Sequence, residues 1–92
     1  MTDKGLAQLK ELNSLHTLHL GGTAISDVGM EHLERLTSLE WLSLADTRVS
    51  DVGIERLKGL TNLRELRLKG TKTTDYGVSE LQLALPNLKI LR

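Results

Sequence analysis

The residues that could carry chemistry recur at fixed distances. Asp3, Asp27, Asp51 and Asp75 are separated by 27−3, 51−27 and 75−51, each 24, and Gly5, Gly29, Gly53 and Gly77 follow two residues behind them. A row of carboxylates suggests a calcium ladder, but calcium needs six to eight oxygens around one ion. Carboxylates at successive helix starts, about 10 Å apart, cannot share one. Thr2, Ser26, Ser50 and Thr74 precede the four aspartates, and a hydroxyl followed by an acid suits the first turn of a helix. The aspartates therefore read as helix-start groups. His16 and His19 are the other metal candidates, yet three residues apart on a strand they face different sides, and no third ligand stands near. The glycines form neither GxGxxG nor GxxxxGK and are expected to admit close packing between helices or between helix and strand. The serines are mostly cap or link residues, and no histidine stands in register beside those. These patterns assign no catalytic residue, metal or cofactor, and the chain reads as a non-enzyme.

Stepping from these groups to the elements that hold them, Ser26 to Val49 reads SDVGMEHLERLTSLEWLSLADTRV and Ser50 to Thr73 reads SDVGIERLKGLTNLRELRLKGTKT. One unit is written twice, which is the signature of a solenoid. Four units are expected over 2–25, 26–49, 50–73 and 74–92 of a single domain. Each opens with a helix whose apolar stripe is Leu6, Leu9 and Leu12, then Met30, Leu33 and Leu36, then Ile54, Leu57 and Leu60. Polar links, Asn13-Ser14, Thr37-Ser38 and Thr61-Asn62, lead to alternating stretches around Leu18, Leu42 and Leu66 that read as short strands. A helix between successive strands makes them parallel. Strands stand ~4.8 Å apart and helices need 8–10 Å, so the stack bends with its strands on the concave side.

The pattern LxxLxLxxT followed by [ST]DxG(L/M/I/V)xxLxxL resembles the leucine-rich repeat family, particularly its 24-residue bacterial and F-box-associated forms. The resemblance spans essentially the whole chain. It implies an α/β solenoid with a parallel concave sheet and convex helices, which in the family binds proteins and sometimes peptides or glycans. Three features depart from the family pattern. Thr23, Thr47 and Thr71 stand where many members carry a buried Asn or Cys. Leu63 matches Leu88, 25 rather than 24 later, which places an insertion near Leu83-Ala84-Leu85 and distorts the end of the last helix. Neither end carries a recognisable cap.

Composition narrows the field. Twelve basic residues cancel twelve acidic ones, so no bulk field draws the chain to nucleic acid or an anionic membrane. With no cysteine there is no disulfide staple or thiolate, which is compatible with a reducing compartment. The start MTDKGLAQLKEL has neither a basic nor an apolar leader region, and no apolar run approaches ~20 residues. A cytoplasmic setting is expected. Phe is absent and Leu carries almost all the apolar content, so the core must be leucine layers.

On the strands, residues beside the middle leucine point out of the concave face. They form one column of Thr17, Trp41, Glu65 and Ile90 and another of His19, Ser43, Arg67 and Arg92, with His16, Glu40, Arg64 and Lys89 at the entrance. Trp41 beside arginines is the expected anchor of a protein contact, with Glu40, Ser43, Arg64, Glu65, Arg67, His19, Thr17 and His16 around it. The alternative role for Trp41 is to lie flat over Thr17 and Ser43 as cover for the sheet. Tyr76, in the column of Lys4, Val28 and Val52, is expected to pack. The partner is expected to be a protein. Two alternatives come from the bare ends, where Leu88 and Leu91 have no helix over them: a homodimer through the terminal repeats, or a piece of a longer repeat protein.

Overall fold

Among the described residues the leucine pattern resolves into nine short segments. The computed structural model describes residues 2–9 and 14–92, so Leu12 and Asn13 lie outside the described residues. The order is α1 (Asp3–Ala7), β1 (Thr17–His19), α2 (Asp27–Leu33), β2 (Trp41–Ser43), α3 (Asp51–Ile54) running into a 3₁₀ turn (Glu55–Gly59), β3 (Glu65–Arg67), α4 (Asp75–Ala84) and β4 (Lys89–Leu91). The strands form one parallel sheet in the order β1-β2-β3-β4. Alternation decides its two faces: Leu42 and Leu66 are fully buried against the helices, and the residues beside them look outward.

Each junction between units is locked by chemistry that the sequence reading gave a different role. The Asp3 carboxylate accepts the Ser26 backbone N–H at 2.9 Å and the Ser26 hydroxyl at 2.6 Å. Asp27 holds Ser50 and Asp51 holds Thr74 in the same way. The aspartates therefore bridge to the following unit as well as opening their own helices. Ser26 and Ser50 make no side-chain cap bond. The paired glycines make room for the bridge, because a Cβ on Gly29, Gly53 or Gly77 would overlap the carboxylate of Asp3, Asp27 or Asp51. Thr23, Thr47 and Thr71 close the turn after each strand, their hydroxyls donating to the carbonyls of Leu20, Leu44 and Leu68 at 2.7 Å. Those turns pass through left-handed backbone at Gly22, Asp46 and Gly70, with φ of 71°, 57° and 77°.

The last unit corrects one expectation. Glu65 pairs with Lys89 and Leu66 with Ile90, so Ile90 belongs to the inward row and not to the outward column of Trp41 and Glu65. Arg92 likewise falls outside the column of Arg67, which pairs with Leu91. The residue gained before Leu88 is given back in the link, since Leu88 and Ile90 are two apart where Leu63 and Leu66 are three apart, and Asp75 stands 14 residues before Lys89 as Asp51 stands 14 before Glu65. The α4 helix runs ten residues where α2 runs seven, and the Gln82 side-chain amide donates to the carbonyls of Leu85 and Leu88 at 3.0 and 2.8 Å, fastening the added length. Sheet pairing thus keeps its step of 24, and an apolar side chain still meets Leu66.

A one-layer stack is expected to bury less than a globule of equal mass, and it does not. The accessible surface is 5335 Å², against about 5300 Å² for a globular protein of 10.2 kDa. Four units make a body of 30 × 23 × 17 Å, too short for its length to add much surface.

Candidate binding face

On the outward side of the sheet, parallel pairing sets Thr17, Trp41 and Glu65 in one row and His19, Ser43 and Arg67 in the next. Trp41 is half-buried, and three neighbours fix its ring. The indole Nε1–H donates to Glu65 Oε2 at 2.8 Å. The Arg67 guanidinium lies 5.3 Å from the ring centroid, and the His19 ring stands 5.6 Å away, tilted by 59°. Arg67 Nε donates to the same Glu65 oxygen at 2.9 Å. These bonds, that of Arg67 first and that of Trp41 second, hold the Glu65 carboxyl below its ordinary pKa. The result is an aromatic platform with its polar edge satisfied and a cation against it.

At the entrance to the strands, His16 Nδ1 lies 3.1 Å from Glu40 Oε2 and 3.2 Å from the Ser38 carbonyl. Arg64 is exposed, and its side chain has no ion pair among the described residues. Thr17 is exposed beside Trp41 on the edge strand. Ser43 does not join this surface. It is 2% exposed, because its short side chain sits between His19 and Arg67 on the flanking strands and ends below their level. The structure therefore brings together Trp41, Glu65, Arg67 and His19, sets His16 and Glu40 as a separate pair, and removes Ser43. Lys89, opposite Glu65 on β4, takes the place assigned to Ile90.

Tyr76 does not pack as expected. It is 73% exposed and continues a row with Val28 and Val52, 70% and 67% exposed. Its hydroxyl donates to Glu80 at 3.2 Å, and that carboxylate raises the phenol pKa. Tyr76, Val52, Glu55 and Lys58 line an open depression of about 320 Å³ on the helix side. The 24-residue spacing of Val28, Val52 and Tyr76 was the available signal for this row. No helix among the described residues is long and apolar enough to cross a membrane.

The family model for leucine-rich repeats matches residues 13–72, about two thirds of the chain. The chain belongs to the leucine-rich repeat family. As a leucine-rich repeat solenoid it is similar to a structure of the Chaetomium Mex67:Mtr2 subunits, at 22% identity and a TM-score of 0.72, over 98% of this chain and 69% of that one. It is also similar to a leucine-rich repeat protein of Leptospira interrogans, at 21% identity and a TM-score of 0.58, over 91% of this chain and 27% of that one. The repeat chain spans about a quarter of the Leptospira protein, and at these identities the likeness is one of fold. No curated protein sequence matches it.

Proposed function

We propose that this leucine-rich repeat protein, of the 24-residue kind, is a protein-binding scaffold without chemistry of its own, and that its partner seats on the concave sheet around Trp41. The observation that carries this reading is the fixed indole, braced by His19 and Arg67 with its N–H spent on Glu65. A side chain already held in place loses little freedom on binding, so more of its apolar contact counts toward affinity. Glu40, Arg64, Thr17 and His16 supply a mixed-charge rim. The cancelled net charge argues against nucleic acid and anionic lipid as the partner.

A photo-crosslinking residue at position 17, beside Trp41, should yield protein adducts that Trp41→Ala removes. The same residue at position 35, on the exposed helix side, should yield none. Against the partner so isolated, Trp41→Ala should cost about 2 kcal/mol of binding, about thirtyfold in Kd. Adducts from position 35 alone, or adducts indifferent to Trp41, overturn the reading.

A second reading is that the chain associates with itself through its ends. Asp75, whose side chain is 96% exposed at the position where each earlier aspartate is docked beneath the next unit, would be covered equally by a second copy or by a further repeat of a longer protein.

A further inference from the structure

The net charge of zero hides a division between the two sides of the sheet. In residues 40–48, 64–72 and 88–91, which hold β2, β3 and β4 and the turns after them, six basic residues stand against three acidic ones. In 27–35, 51–59 and 75–84, the helical stretches, three basic residues stand against seven acidic ones. Sheet geometry places the basic excess. Lys89 lies opposite Glu65 on β4, and the ladder continues beyond the strands, the Asp46 N–H donating to the Lys69 carbonyl at 2.8 Å. The outward alternation of Glu65 and Arg67 therefore reaches Lys69. Arg64 stands at the entrance to the same strand, its carbonyl accepting the Lys89 N–H at 2.9 Å. All four basic side chains, of Arg64, Arg67, Lys69 and Lys89, are exposed.

The acids on this side are already engaged. Glu65 accepts from Trp41 and Arg67, Glu40 stands against His16, and the Asp46 carboxylate lies along its own turn, where a Cβ on Gly70 would fall. Among the described residues the side chains of Arg64, Lys69 and Lys89 form no ion pair. Three uncompensated cations thus occupy β3, its turn and β4, beside the strand that carries the fixed indole. Charges of one sign gathered on a concave wall raise the local potential and select an anionic partner.

We propose that the partner of the concave face is an acidic protein segment, with an apolar side chain resting on the Trp41 ring and neighbouring carboxylates over Arg64, Lys69 and Lys89. The inference rests on the concave-face reading and adds the chemistry of the partner. A nucleic-acid strand has the same sign of charge but fits less well. Its evenly spaced phosphates would meet Glu40 and Glu65 among the cations, and β1 carries neither Lys nor Arg to continue the track. A segment with a few carboxylates at chosen positions avoids both.

Selection of random peptides displayed on phage against the purified chain tests this. Peptides retained by the wild type and lost from Trp41→Ala should be enriched in Asp and Glu beside an apolar residue. Lys69→Glu combined with Lys89→Glu should erase that enrichment. Arg35→Glu combined with Lys58→Glu, the same change of net charge at exposed helix-side positions, should leave it intact, and both variants should keep the wild-type circular dichroism spectrum. A synthetic copy of the most enriched peptide should bind the variant at positions 69 and 89 about tenfold more weakly, within the range of two exposed ion pairs, and should lose affinity as salt is raised. If no retained peptide depends on Trp41, the concave-face reading falls and this inference with it. Peptides that depend on Trp41 without an acidic bias leave that reading standing and overturn this one. So do acidic peptides indifferent to reversal at positions 69 and 89, or equally sensitive to reversal on the helix side. An oligothymidylate that binds more tightly than the peptide, with the same dependence on Trp41, assigns the face to nucleic acid and overturns the inference as well.

Discussion

Trp41 and Glu65 show how little of a residue's role is carried by its type. The sequence placed Trp41 on the outward face, but its bond to Glu65 joins residues 24 apart whose side chains meet only because β2 and β3 pair in register. Ser43 was misplaced by the same reasoning, since alternation gives the direction of a side chain and not its height among its neighbours. The Glu65 carboxyl offers a direct measurement. Its folded pKa lies below the ordinary 4.5, so the contribution of its bonds is complete above that value and is lost as pH falls through the lowered one. Trp41 is the chain's single tryptophan, so its fluorescence reports the event. An acid transition with a midpoint below 4.5 is expected in the wild type and should be missing from Glu65→Gln. An unchanged transition in that variant would detach the indole from the carboxylate.

At the scale of helix and strand, the repeated leucines were enough to order the elements and pair the first three strands, because every unit restates the same pattern. The fourth was harder, since an inserted residue can be absorbed in the strand or before it and spacing does not choose between them. The pairing of Leu66 with Ile90 chooses the latter: the link after Leu88 is one residue shorter, and Gln82 holds the Leu85 and Leu88 carbonyls ahead of it. The role of DxG was hidden for another reason. Asp3, Asp27 and Asp51 each adjoin a hydroxyl residue in sequence, but the hydroxyl each holds is the next unit's, 23 residues away. Pairing between Asp3 and Gly29 makes this testable by a double-mutant cycle in urea. Gly29→Ala alone should destabilise by about 1–3 kcal/mol through overlap with the Asp3 carboxylate, against the ~1 kcal/mol that alanine gains over glycine within a helix. In an Asp3→Ala background the same change should be neutral or stabilising. Loss of equal size in both backgrounds would mean that Gly29 serves something other than this bridge.

Across the whole molecule, stability is distributed along the stack and no unit owns a core. The leucine layers run through the units, and burial equals that of a globule because four units make a body only 30 Å in its longest direction. The three occupied junctions use one chemistry, Asp to Ser or Thr with a glycine beside it. Length is therefore a free parameter of this design. In-frame duplication of residues 26–49 should produce a folded chain with one more strand, a proportionally larger denaturant m-value and a higher melting temperature, since each added unit brings its own interface. An unfolded or less stable product would show that the junctions are not equivalent. If they are, lengthening requires no new invention at any seam, and unequal crossing-over within the coding sequence is enough to extend the reach of the concave wall.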